Sequence, residues 1–282
     1  MSTYAVTGAA SGMGRAVAEK LVTEGHAVID VDIVDATVQA DLSTAEGRRD
    51  AAAAVLELCG GRLDGAVMAA GLGPAPGRDR PRLIAEVNYF GVVELLAAWR
   101  PALAATDAAK VVVFASNSST TVPMVPERAV RGFLDDDIDR VLGTLRLFGK
   151  RAPTFAYAAS KIAISRWVRR TAVTPEWAGA GIRLNAIAPG AVMTPLLEQQ
   201  LARPGTAKEV NRFPVPIGGF GDAGQIADWV VFMLSDAAAF LCGSVVFVDG
   251  GSDAWFRADD WPRGVPARRL RRYLRRMRAF RR

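Results

Sequence analysis

Short apolar runs rich in β-branched residues recur along the chain, at Tyr4 to Thr7, Ala27 to Val31, Gly65 to Ala69, Val111 to Ala115, Ile182 to Ile187 and Val245 to Val248. Each reads as a buried strand. Between them, apolar residues fall at helical spacing over Met13 to Glu24, Ser43 to Cys59, Arg82 to Ala105, Phe155 to Trp177 and Asp222 to Ser235. Strand, helix and strand in repetition predict a parallel sheet covered on both faces, because parallel neighbours need a crossover and a right-handed helical crossover is the usual one. No internal repeat or composition break divides the body. The expected fold is α/β, a single doubly wound parallel sheet over residues 1–255 with a basic tail over 256–282.

Charge separates the tail from the body. The formal net charge is +6, yet the segment from Arg257 to Arg282 holds eleven arginines and two aspartates, a net +9, which leaves −3 on the rest. The isoelectric point near 9.7 therefore belongs to the tail, and basicity is no argument for a nucleic-acid fold in the body. A chain of 282 residues, half of them apolar, buries a large core. Cys59 and Cys242 are far apart and lack metal-ligand spacing, which suits a reducing compartment. The N-terminus has no basic and apolar leader pattern, and no run of apolar residues is long enough to span a bilayer. A cytoplasmic location is expected. The sole histidine, His26, stands before the second strand and reads as a surface residue, so histidine acid-base chemistry and a His-rich metal site are not expected, and no metal is assigned.

The segment Thr7-Gly8-Ala9-Ala10-Ser11-Gly12-Met13-Gly14 follows the first strand and opens the first helix. Glycines there let the backbone turn tightly and approach a pyrophosphate, whose charge is met by N–H groups at a helix N-terminus. Asp32 ends the second strand, eighteen residues after Gly14, where a carboxylate takes ribose hydroxyls and repels a 2′-phosphate. No Lys or Arg precedes Gly12 in the loop and Ile33 follows Asp32, so NAD is the expected cofactor. Asp30 and Asp35 are nearby rivals for this part.

Tyr157 and Lys161 are four residues apart, which puts both on one helix face. An ammonium beside a phenol favours phenolate, so a lowered Tyr157 pKa is expected, with Tyr157 as general base in alcohol oxidation and general acid in ketone reduction. Ser116, after the fourth strand, is placed to hydrogen-bond a substrate oxygen as charge develops on it; Ser118 and Ser119 compete for that role.

These stretches occur in order: the TGxxxGxG loop, Asn88, Ser116, Tyr157-Ala158-Ala159-Ser160-Lys161, Asn185-Ala186-Ile187-Ala188-Pro189-Gly190 with Thr194, and Asp249-Gly250-Gly251. Together they make residues 3 to about 255 resemble the short-chain dehydrogenase/reductase family; Ala40-Asp41-Leu42-Ser43-Thr44-Ala45-Glu46-Gly47-Arg48, Ala70-Gly71-Leu72-Gly73-Pro74, Asn88-Tyr89-Phe90-Gly91 and the long stretch between Ser116 and Tyr157 make them look most like its bacterial 3α-hydroxysteroid dehydrogenase/carbonyl reductase branch. The resemblance implies a Rossmann-type fold and catalytic roles for Asn88, Ser116, Tyr157 and Lys161, with Asn88 positioning a water relay. It implies that Gly8, Ser11, Gly12, Met13, Gly14, Asp32, Ala70, Gly71, Tyr157 and Lys161 meet the cofactor. Asp41 and Leu42 would take the adenine, and Pro189, Gly190, Val192 and Thr194 the nicotinamide side. The Asn-Asn-Ala-Gly of the family is replaced by Met68-Ala69-Ala70-Gly71. A bulky apolar secondary alcohol or ketone as substrate and a homo-oligomer, dimer or tetramer, are further implications; the rival function is a non-catalytic NAD-sensing protein tethered by its tail.

Two segments stand outside the common pattern. Forty residues separate Ser116 from Tyr157, and within this insertion, about 118–154, Asp135-Asp136-Asp137 precedes Ile138, Val141, Leu142, Leu145 and Leu147 in the manner of an acidic helix start with an apolar face. It overhangs the site, blocks the usual subunit contact, or simply decorates the surface. Pro195 to Pro214 reads as a mobile substrate lid. In the tail, after a Trp261-Pro262 break, Leu270, Tyr273, Leu274 and Met277 recur at helical spacing with Phe280 a turn beyond. This is the pattern of a basic amphipathic helix for an anionic membrane, nucleic acid or a partner subunit, or of a solvated extension.

Overall fold

Seven parallel strands form the central sheet in the order β3-β2-β1-β4-β5-β6-β9. They are β1 Thr3–Thr7, β2 Ala27–Asp32, β3 Val38–Gln39, β4 Gly65–Met68, β5 Lys110–Phe114, β6 Arg183–Pro189 and β9 Val245–Val248; a short pair, β7 Val192–Met193 with β8 Gly221–Asp222, lies apart from it. The computed structural model describes residues 1–261 and 264–279, without the side chains of residues 204, 206 and 209. Pro262 and Phe280, singled out in the tail, lie outside the described residues. All six expected strands are present, and β3 is added at the edge. With two residues, it offers no alternation for a sequence reading to detect.

Both faces of the sheet are covered, which is why its strands read as continuous apolar runs. Ala5, Ala66, Met68, Val111 and Val113 point to a core shared with α2 (Ala45–Leu58), α4 (Gly91–Ala104) and α8 (Ala152–Thr171). Tyr4, Val6, Val67, Val112 and Phe114 point to the opposite core with α1 (Gly12–Thr23) and α11 (Ala223–Leu234). The chain runs β1-β2-β3 in one direction and β4-β5-β6-β9 in the other, so the order reverses between β1 and β4. A doubly wound sheet opens its ligand crevice at the carboxyl ends of the strands at that reversal.

The expected helix from Arg82 to Ala105 is three pieces: α3 Arg80–Ala85, a π-helical turn Glu86–Phe90 and α4. One residue too many is accommodated in this π turn, a device that re-aims side chains at functional sites. Buried Arg48 of α2 braces it, donating to Glu86 at 2.9 Å, to Glu94 at 2.7 Å and to the Leu42 carbonyl at 3.1 Å. The insertion after β5 folds as α5 (Ser118–Thr121), α6 (Glu127–Leu134) and α7 (Ile138–Leu145), whose N-cap Asp137 accepts from the Arg140 N–H as the acidic start implied. Val141 and Leu145 are buried and Leu147 is exposed. After β7 come α9 (Pro195–Leu201) and α10 (Pro204–Arg212), and after β9 come α12 (Ser252–Arg257) and α13 (Leu270–Ala279).

Candidate active site

Gly8 and Gly12 adopt left-handed backbone conformations, φ +72° and +55°, which carry the chain from β1 into α1 at little steric cost. A Cβ on Gly8 would stand 2.7 Å from the backbone of Ala70, and one on Gly14 would collide with the Gly8 carbonyl oxygen. The loop and the β4 end are thus in direct backbone contact, and the Ala70 N–H donates to the Thr7 hydroxyl at 3.1 Å. No acidic residue stands in the first turn of α1, and the Ser11 side chain makes no capping hydrogen bond. The N–H groups and positive dipole end of that turn are left for an anion.

A cavity of about 570 Å³ opens over this loop. Of the residues expected at a cofactor, Gly8, Ser11, Gly12, Met13, Gly14, Asp32, Asp41, Leu42, Ala70, Gly71 and Thr194 line it. Pro189, Gly190 and Val192 do not, and neither do Tyr157 and Lys161. Asp32 accepts from the N–H groups of Ala10, at 2.9 Å, and Ile33, at 2.7 Å, which fixes its carboxylate in the cavity lining. Its rivals are placed otherwise: Asp30 is held by the Thr37 N–H and hydroxyl, and exposed Asp35 is outside the cavity lining. The Thr194 hydroxyl accepts from the Leu197 N–H at the start of α9, whose Leu196 packs on Gly73 across the cavity.

The reacting groups gather beside this cavity, at the ends of β4 and β5. Asn88, in the π turn and fully buried, donates to the Leu72 carbonyl at 3.0 Å and accepts from the Leu72 N–H at 2.7 Å. Its oxygen is the nearest side-chain atom that a Cβ on Gly71 would meet, at 3.5 Å. Lys161 is buried, donates to the Phe114 carbonyl at 2.7 Å and lies 5.8 Å from the centroid of the Tyr157 ring. Burial pushes the Lys161 ammonium down to about 8.

The direction found for Tyr157 differs from the one expected. Burial raises its pKa, and a hydrogen bond with Ser116 pulls the other way. The desolvation of a phenolate outweighs its neighbours here. Ser116 is the buried serine next to Tyr157, and its hydroxyl accepts from the Ser118 N–H at 3.1 Å, so Ser118 braces it.

Sequence reasoning missed several residues at the site. Arg80 lines the cavity and donates twice to the Gly73 carbonyl, at 2.9 and 2.6 Å. Leu72, Leu83, Val87 and Leu196 give the cavity apolar walls. Arg48 was detectable in principle: with Ala51, Ala52 and Val55 it shares the buried face of α2, an arginine at a position where the helical period demands an apolar side chain.

A glycine cradle at the switch point, with a half-buried tyrosine and a buried lysine on the adjoining helix, defines a doubly wound nucleotide-binding oxidoreductase. Residues 2–126 match the family model described as short chain dehydrogenase, and residues 143–253 the one described as Enoyl-(Acyl carrier protein) reductase. The chain belongs to the short-chain dehydrogenase family.

Among its relatives is the 3-alpha-hydroxysteroid dehydrogenase/carbonyl reductase of Comamonas testosteroni, 37% identical over 91% of this chain and 98% of its own length. A coniferyl-alcohol dehydrogenase from a Pseudomonas strain is 32% identical over 87% and 94%. The crystal structure of the 3-alpha-hydroxysteroid dehydrogenase from Pseudomonas sp. B-0831, complexed with NADH, superposes with a TM-score of 0.85 at 42% identity, covering 92% of this chain and 99% of that one.

Proposed function

We propose that this chain is an NAD-dependent oxidoreductase interconverting a bulky apolar secondary alcohol and its ketone. The observation that carries the reading is the pairing of a cofactor-sized cavity, in which a Cβ on Gly8 would fill the approach to Ala70, with partly buried Tyr157 and buried Lys161 beside it. The residues present fit a dinucleotide: the first turn of α1 for its pyrophosphate, Asp41 and Leu42 for the adenine, Asp32 for ribose hydroxyls. Asp32 also disfavours a 2′-phosphate, which supports NAD over NADP. Pro189, Gly190, Val192 and Thr194 are assigned to the carboxamide side. When bound, the nicotinamide supplies the carbon that gives or takes the hydride.

In reduction, the Tyr157 hydroxyl protonates the carbonyl oxygen as it gains negative charge, and Ser116 donates a second hydrogen bond to the same oxygen. Burial keeps the phenol protonated, the form that reduction uses. In oxidation, Tyr157 takes the alcohol proton back. Lys161 would stabilise the phenolate and hold the ribose of a bound nicotinamide, and Asn88, which fixes the backbone at Leu72, would position a relay water. A lid from Pro195 to Pro214 is assigned to cover an apolar substrate. The relatives' names, hydroxysteroid and coniferyl-alcohol dehydrogenases, support the same class. A homo-oligomer belongs to this reading, and exposed Trp229, Phe232, Trp255 and Phe256 are surface for it to cover.

A screen of NAD reduction over steroid, terpenoid and aromatic alcohols, repeated with NADP, tests the reading. Turnover with NAD at least about tenfold above NADP is expected. NADH binding with no turnover of any alcohol or ketone would replace the enzyme by an NAD-sensing protein.

A further inference from the structure

We propose that the C-terminal helix α13 is a binding element for anionic lipid surfaces, an inference independent of the oxidoreductase reading. Its residues Leu270, Tyr273, Leu274 and Met277, at positions i, i+3, i+4 and i+7, form one stripe and are 39 to 58% exposed. Around them stand Arg268, Arg269, Arg271, Arg272, Arg275, Arg276 and Arg278, and no acidic residue occurs between 267 and 279. Among the described residues none of these arginines forms an ion pair. A helix so divided sinks its apolar stripe to the boundary of headgroups and acyl chains while its arginines extend to the phosphates.

The helix is an addition to the family body. The family match ends at residue 253, and the Comamonas relative is matched over 98% of its own length while covering 91% of this chain. Residues 1–256 carry a net −3, so electrostatic attraction to an anionic bilayer has to come from the tail. A nucleic acid explains the arginines but leaves two leucines and a methionine on one face without a use, whereas a bilayer uses both faces. No helix among the described residues is long and apolar enough to cross a membrane, so the attachment is peripheral.

Sedimentation of the full chain with vesicles tests this, comparing phosphatidylcholine alone with phosphatidylcholine carrying about 30 mol % phosphatidylserine. The expected result is binding at least about tenfold tighter to the anionic vesicles, weakened by salt. The double substitution Leu270→Gln with Leu274→Gln, which leaves the charge unchanged, should abolish vesicle binding, leave thermal unfolding and NADH fluorescence unchanged, and spare any binding to duplex DNA, which needs only the arginines. Vesicle binding that is absent in the full chain, or equal in the double variant, overturns the proposal. So does DNA bound more tightly than anionic vesicles at the same salt, which makes the tail a nucleic-acid element. These readouts do not depend on turnover, so failure here is separate from failure of the enzyme assignment.

Discussion

In the cradle over β1 and β4, the groups that face a ligand are main-chain N–H groups exposed by glycines, with one carboxylate at the rim. On α8, a few residues from the β5 end, the groups are titratable side chains taken out of water. The cradle gains its fit from the absence of side chains and imposes little electrostatic cost. The α8 pair does the reverse: burial pushes Lys161 down to about 8 and Tyr157 up, so the fold works against the charges that the chemistry uses. Binding and chemistry should therefore fail separately, and stability should respond in opposite directions at the two places.

The largest effect on cofactor affinity is expected in the cradle. Gly14→Val drives a branched side chain into the Gly8 carbonyl and should weaken NADH binding about a hundredfold or more, measured by fluorescence titration. Unchanged affinity would remove the cofactor from this cavity.

Arg48→Ala is next. It leaves Glu86 and Glu94 without their buried partner and should lower urea-unfolding stability by about 3 kcal/mol. The loosened Leu42 loop should cost NADH affinity as well. Asp32→Ala then tests the rim, and should narrow the preference for NADH over NADPH by about tenfold, or about 1.4 kcal/mol, in paired titrations.

The smallest effect on stability has the opposite sign. The native Lys161 binds its proton less tightly than the unfolded chain does, because its pKa falls from its ordinary 10.5 to about 8. Its burial therefore costs stability below pH 8, and that cost fades as pH rises from 8 towards 10.5 because the native state sheds its proton first. Lys161→Met should abolish turnover yet stabilise the fold by about 1 kcal/mol at pH 7, net of the lost hydrogen bond to Phe114. The gain should shrink in melts at higher pH. A destabilised variant would show that the ammonium is not strained by burial.

How much of this was legible in the sequence follows the same division. The strands and the glycine loop are written in short apolar runs and in spacing, so the doubly wound sheet, its cradle and eleven residues of the cavity lining could be named beforehand. The Asp137 cap of α7 was equally local. What escaped depends on three-dimensional environment. The direction of the Tyr157 shift is set by burial among residues distant in sequence, while the i,i+4 spacing announces only that Lys161 is near. The π turn at Glu86–Phe90 hides in a helical pattern because one extra residue hardly disturbs it. Arg80 joined the cavity through a loop carbonyl at Gly73, which no side-chain pattern foretells.

The separation of binding from chemistry is tested most directly by Tyr157→Phe, with NADH fluorescence titration and steady-state turnover measured on the same preparation. NADH affinity should stay within about threefold of the parent while turnover falls by about 10³. Turnover kept within about tenfold, or NADH binding lost together with it, would contradict the assignment of Tyr157 as the proton donor beside an independently formed cradle.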